Sequence, residues 1–184
     1  MVRFYAFVMA AALLAAPVWA VEWAVDKGTS KLTWVATFNK QPITGEFKDW
    51  NAAIVLDEAN LATANVKVEV RTASVESGDP ERDSALQGKD FFNSAATPLA
   101  VFESQNVRKT PQGYEAVGTL TLAGVSKPAV LPFTLETANG KATAQGVLKL
   151  NRQDYAVGKG AWAKASEIGN DVDVHFTVHA TAAE

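Results

Sequence analysis

The sequence predicts an all-β protein built on antiparallel sheet. Apolar and polar residues alternate with period two along most of the chain, turn signals cut it into roughly eight such segments, and no helical segments intervene to make parallel crossovers. A strand with one apolar and one wet face belongs to a sheet that folds over itself, as a sandwich or a closed barrel.

The elements follow in chain order. Residues 1–20 carry one cation, Arg3, then the apolar run FVMAAALLAA and the small residue of VWA, so they read as a secretory signal removed after Ala20. That run is short for a bilayer span, and residues 21–184 are expected to form one exported domain that is not integral to the membrane. In KLTWVATF the apolar face is Leu32, Trp34, Ala36 and Phe38. GEFKDWNAAIVLD supplies Phe47, and NVKVEVRT sets Val66, Val68 and Val70 against Lys67, Glu69 and Arg71. DPERDSALQG has a Pro near its start, acids in its first turn and a Gly at its end, which predicts a helix of about two to three turns. Such an insertion has no place in the sheet, so it is expected to cross an end or edge of the barrel, with Leu86, Phe91 and Phe92 turned inward as a lid.

Strand pattern resumes in PLAVFESQNV, with Ala100 and Phe102 on the apolar face. It continues through GYEAVGTLTL (Tyr114, Ala116, Gly118, Leu120, Leu122) and AVLPFTLE (Ala129, Leu131, Phe133, Leu135). TAQGVLKL places Ala144, Gly146, Leu148 and Leu150 together, and DVDVHFTVHA sets Val172, Val174, Phe176 and Val178 against Asp171, Asp173, His175, Thr177 and His179. Gly118 and Gly146 on the inward face mark either sharp bends or room for something else. An eight-stranded barrel is just wide enough to be filled by side chains or to hold one small ligand. Small inward residues clustered together leave a tunnel; facing aromatics, they complete a packed core.

Composition narrows the function. The chain has no cysteine, which removes disulfides, a lipoprotein anchor and covalent c-type haem. With 17 basic and 20 acidic residues its formal charge is −3, and loss of Arg3 with the leader makes it more negative, so nucleic acid is not the expected partner. His175 and His179 lie four apart on a strand, about 13 Å, too far to chelate one ion together. No metal site, P-loop, dinucleotide fingerprint or nucleophile elbow is present. Glu46, Asp57, Glu58, Asp154 and Glu167 fall at turns or strand ends, where solvated roles are the default, so no catalytic residue is assigned and an enzyme is not expected. The exterior, with Lys67, Glu69, Arg71, Asp173 and His175, does not suit an outer-membrane barrel.

Several motifs resemble the YceI-like family. ERDSALQGKDFFNSAATPLAVFES, residues 81–104, is similar to its hallmark, a charged helix running from R-D to D-F-F and followed by a P-x-A-x-F-x-S strand. GTLTLAGVSKPAVLPFTL resembles its G-x-L-T-x-x-G-V-T-K-P-V-x-L hairpin, and ITGEFKDWNAAIVLD its G-x-F-x-x-F-x-x-x-I-x-F-D strand, with Trp50 where an aromatic is usual. YAVGKGAWAKASEIGNDVDVHFTVHA is similar to the final turn and strand, so the likeness covers residues 22–180.

The resemblance implies a periplasmic, lipocalin-like antiparallel barrel of eight strands holding an isoprenoid lipid, either a polyprenyl phosphate or the tail of a ubiquinone-like molecule, with no covalent cofactor. Trp34, Phe38, Phe47, Phe102, Tyr114, Leu120, Leu122, Phe133, Leu148 and Phe176 then become tunnel lining. Arg82 and Asp83 are expected as helix anchors, and the interior should offer a phosphate no cation beyond Lys40 or Lys159 near the loops. The short TFNKQPITGEF and VGKGAW forms resemble members associated with b-type membrane cytochromes, which implies such a cytochrome as a partner. Dimer formation stays open. The alternative is a secreted enzyme or stress factor acting through loops around Asn39, Asp154 and Trp162.

Overall fold

The computed structural model describes residues 21–164 and 166–183; the expected leader, residues 1–20, lies outside them. Eleven strand segments form in chain order: β1 (Glu22–Val25), β2 (Lys31–Phe38), β3 (Gln41–Phe47), β4 (Trp50–Val55), β5 (Asn65–Arg71), β6 (Val75–Glu76), β7 (Leu99–Thr110), β8 (Gly113–Leu122), β9 (Val125–Ala138), β10 (Lys141–Asn151) and β11 (Asp171–Ala182). Three staves are broken in two, because β1 runs on into β2, β3 into β4 and β5 into β6. Both halves of each broken stave pair with the same neighbour: β1 with β4 and β2 with β3, then β4 with β5 and β3 with β6. The result is an eight-stranded antiparallel meander, closed where the first stave meets β11, β1 through Trp23–Ala182, Ala24–Thr181 and Val25–Ala180 and β2 through five pairs from Lys31–Thr177 to Val35–Asp173.

Period-two alternation becomes the inside and outside of this ring. Phe102, Val107, Tyr114, Ala116, Leu120 and Phe133 sit in the main buried cluster, while Trp34, Ala36 and Val75 form a second one near one end. Outward residues pair with each other instead, as in Lys67–Glu69, Arg108–Glu115 and Lys149–Asp173. Two of the breaks within staves turn at the Asp26–Gly28 bend and the single helical turn Thr72–Ser74; Thr72, fully buried, ties that turn to Ser94 and to the carbonyls of Thr97 and Pro98.

The helix α1 (Pro80–Gln87) lies between β6 and β7, at the same barrel end as the β2–β3 hairpin and the long connection from β10 to β11. Pro80 opens it, and the Asp79 carboxylate accepts from the amides of Glu81 and Arg82 at 3.0 and 3.1 Å. Arg82 donates from Nε to Ser77 Oγ (2.8 Å) and from Nη2 to the Ser77 carbonyl (2.9 Å), while Asp83 accepts from the Ser77 amide and hydroxyl. Both side chains therefore anchor the helix to the end of β6. Leu86 and Phe92 pack on the Trp34 cluster, and Phe91 is buried in the main one.

Gly118 and Gly146 are places of close backbone approach. A Cβ on Gly118 would lie 2.1 Å from the Glu103 carbonyl oxygen, beside the irregularity in β7 at Ser104–Asn106; one on Gly146 would lie 2.1 Å from the Pro132 carbonyl oxygen and 2.7 Å from the Phe176 ring. Neither glycine therefore leaves spare volume; each is filled by the backbone of a neighbouring strand. Gly118→Val is expected to lower the unfolding free energy by about 3 kcal/mol, the upper range for forcing atoms into a packed site; a denaturant titration that matches wild type would contradict this placement.

Candidate functional site

The ring encloses a cavity of about 570 Å³ running along the barrel axis. Inward residues that a solid core would bury completely, Leu32, Val68, Leu148, Leu150 and Phe176 among them, are only half-buried, because their inner ends face this space. Ala36, Ala100, Ala116 and Ala144 lie along the wall, where their missing volume leaves the hollow. At the α1 end the lining includes the exposed Phe38, Asp79, Glu81 and Ala85, so the cavity reaches solvent there. Toward the other end Leu56 is buried, and Leu61 and Ala64 of the β4–β5 connection pack against the core.

Of the residues the sequence nominates as lining, Trp34, Phe38, Phe47, Phe102, Leu120, Leu122, Phe133, Leu148 and Phe176 all border the cavity. So do the lid residues Leu86, Phe91 and Phe92, with Phe92 against Phe47 and Phe91 against Trp162, each pair 5.8 Å between ring centres. Tyr114 does not. It is buried and stacks on Phe133 at 5.5 Å, and its hydroxyl donates to Glu58 at 2.6 Å, which draws the ring into the wall. Thr137 donates to the other Glu58 oxygen at 2.7 Å, so one carboxylate from the β4–β5 connection holds β8 and β9 together. The Tyr114 and Thr137 hydroxyls keep the Glu58 carboxyl below its usual range, and the hydrogen bond to Glu58, with burial, pushes the Tyr114 hydroxyl from 10.0 to about 12.

The cations differ from the sequence expectation. Lys40 and Lys159 lie outside the lining, whereas Arg82 and Arg152 border the cavity. Arg152 is 4% exposed. Its five N–H groups donate to the carbonyls of Gly169, Val157, Gly158, Trp162 and Ile168 at 2.9–3.2 Å. Burial pulls its guanidinium below the ordinary value, and among the described residues no carboxylate pairs with it. Sequence reasoning missed this residue because an Arg opening a turn reads as a solvated charge. Its partners are all carbonyls of the β10–β11 connection, so it folds that segment around itself. The Trp34 indole N–H, also buried in the lining, has no hydrogen-bond partner among the described residues.

The loop residues of the alternative reading are separately engaged. The Asn39 amide donates to the Glu167 carbonyl, Asp154 pairs with Lys127 at 3.2 Å, and Trp162 packs on Phe91. His175 and His179 lie on β11, and His179 Nδ1 is 3.1 Å from Thr143 Oγ1. Among the described residues no helix is long and apolar enough to cross a membrane.

A model of the YceI-like domain matches residues 23–180. UPF0312 proteins of Yersinia pestis and Yersinia enterocolitica are 43% and 42% identical over 102 residues, covering 55% of this chain and 50% of theirs. The chain thus spans about half the length of the curated relatives it matches. Among solved structures, Burkholderia cenocepacia BcnA superposes with a TM-score of 0.83 at 29% identity, over 86% of this chain and all of that one. The Campylobacter jejuni YCEI protein gives 0.69 at 28% identity, over 77% and 86% of the two chains. A polyisoprenoid binding domain from Saccharophagus degradans gives 0.66 over 89% and 99%, and at 16% identity that likeness speaks to the fold alone.

Two outcomes follow from the polar contacts. Arg152→Met strands five carbonyls and is expected to cost about 3–5 kcal/mol, with hydrogen exchange accelerating across residues 152–164; unchanged exchange there would contradict the role of Arg152. The Glu58–Tyr114 pair sets opposite pH limbs. Glu58, depressed in the folded state, loses its contribution as pH falls through the carboxylate range; Tyr114, raised, loses its own as pH climbs from 10.0 toward 12. Tyr114→Phe should flatten the alkaline limb of a stability–pH curve measured by urea unfolding.

Proposed function

The chain belongs to the YceI-like family, and on that premise we propose that its barrel is a binding protein for an isoprenoid lipid, taking the hydrocarbon tail into the axial cavity. The observation that carries this reading is the continuous apolar hollow of about 570 Å³, which lies within the usual range of ligand pockets. The polyisoprenoid binding domain of Saccharophagus degradans shares the fold, so this barrel architecture is compatible with that ligand class. At about 0.8 kcal/mol per buried methylene, ten buried carbons contribute roughly 8 kcal/mol before ordering costs, so the tail alone can hold the ligand.

The cations favour an uncharged headgroup. Arg152 spends every N–H on carbonyls, Arg82 is tied to Ser77, and Asp79 and Glu81 stand at the same rim. A quinone meets this mouth without charge, whereas a polyprenyl phosphate faces two carboxylates of which only Asp79 is offset, by the Arg82 guanidinium at 3.9 Å. Such a role belongs in the periplasm after export, beside membrane partners that handle quinones, a b-type cytochrome among them.

Native mass spectrometry of delipidated protein offered ubiquinone, polyprenol and polyprenyl phosphate tests the reading. One-to-one adducts with the quinone and the polyprenol, and a weaker one with the phosphate, are expected; a protein that stays empty with all three overturns it. Phe102→Trp, which narrows the cavity, should weaken tail binding by about tenfold, measured by ligand competition; unaltered affinity would remove Phe102 from the lining that matters.

A further inference from the structure

The barrel wall is not continuous. β8 and β9 pair along nine positions from Tyr114–Phe133 to Leu122–Val125, and β10 and β11 along eleven. Between β9 and β10 the ladder holds six pairs and stops at Phe133–Gly146. Beyond it, among the described residues, Val125–Pro132 of β9 and Val147–Asn151 of β10 have no backbone pairing with each other, a seam roughly 16 Å long at a strand rise of about 3.3 Å.

The sequence explains why it stays unzipped. The Pro132 carbonyl points across at Gly146, so the backbone groups of Pro132, Val130, Pro128 and Ser126, all of one parity, face β10. Two of those residues are prolines and supply no N–H, which removes donors from this edge and blunts it. Cavity-lining side chains stand directly behind the seam: Leu131 from β9, and Leu148 and Leu150 from β10. In front, Pro128, Val130 and Pro132 are exposed, Val130 to 42%. The turn Arg152–Tyr155 folds back toward β9, where Lys127 Nζ meets Asp154 Oδ1 at 3.2 Å and the neighbouring Tyr155 is buried against the cavity. That ion pair is 42% and 56% exposed at its two side chains, so it closes the seam weakly and opens readily.

We propose that the β9–β10 seam is a lateral portal through which a hydrocarbon tail enters and leaves the cavity, with the Lys127–Asp154 pair and Tyr155 as its latch. On its β9 side the seam offers an apolar lip continuous with an apolar interior, facing the exposed Lys149 and Asn151 of β10, while the opening beside α1 is rimmed by Asp79 and Glu81. A tail therefore crosses at the side, and the charged rim is left to the polar end of the ligand. This inference rests on the lipid-binding reading and adds the route of exchange.

Stopped-flow mixing with a two-isoprene ubiquinone tests it, using quenching of Trp23, Trp34 and Trp50, which border the cavity. Lys127→Ala/Asp154→Ala is expected to speed uptake and release together by about threefold or more, leaving affinity little changed. Pro128→Thr/Pro132→Thr, which restores edge donors, should slow both. The amide of Val130 should exchange with deuterium faster than its neighbours in wild type and become protected in the proline variant. Uptake indifferent to both seam variants but abolished when Ala85→Trp narrows the α1 rim overturns the portal. Wild-type protein that takes up no ubiquinone overturns the lipid-binding reading itself, and the portal falls with it.

Discussion

Closure of the sheet between its first and last strands is the constraint from which the rest follows. Three residue pairs from Trp23–Ala182 to Val25–Ala180 join β1 to β11, five more from Lys31–Thr177 to Val35–Asp173 join β2 to it, and together they turn an open meander into a ring. Once eight staves are closed, their radius is set by strand number and tilt, and the interior volume no longer adjusts to the side chains that face it. Alanines at Ala36, Ala100, Ala116 and Ala144 cannot fill that volume, so it remains as a cavity instead of collapsing. Breaks in the first three staves serve the same closure, because each lets a long strand bend and change its angle without losing its neighbour.

Stability then has to come from the wall and the ends. The wall contributes its backbone ladders and a buried cluster centred on Phe102, Ala116 and Phe133. At one end Glu58 ties β8 and β9 to the β4–β5 connection through two hydroxyls. At the other, Arg152 solves a harder problem. The nineteen-residue stretch between β10 and β11 has little regular structure of its own, and a buried guanidinium with five carbonyl acceptors supplies the fixed points that a helix or strand would provide. Burying that charge is costly, but the guanidinium finds an acceptor for every donor, the condition under which such burial is tolerated.

Alternation made most of this fold legible in the sequence. The faces of KLTWVATF, GYEAVGTLTL and DVDVHFTVHA point as the period-two pattern requires, and the Pro–acid–Gly signals of DPERDSALQG locate α1. What escaped depends on partners distant in sequence. Tyr114 shares its strand face with Leu120, yet a carboxylate 56 positions away decides that its ring joins the wall instead of the lining. Gly118 and Gly146 lie on the inward face as expected, but whether an inward glycine makes room or makes a bend depends on which carbonyl approaches it from the next strand. Arg152 looks like any turn residue until its five acceptors are assembled. The prolines of SKPAVLPF are plain in the sequence, but their effect on the wall appears only when β10 is seen to be the neighbour they fail to join.

The central claim is that this ring keeps an apolar space its own side chains leave unfilled and that a hydrocarbon tail completes. Crystals of delipidated protein grown with a bromine-terminated isoprenoid test it most directly, since anomalous scattering locates the heavy atom without reference to the fold. The account expects a bromine peak inside the barrel, among Phe102, Leu148 and Phe176. A peak confined to the outer surface, or an interior free of bromine under saturating ligand, would contradict it.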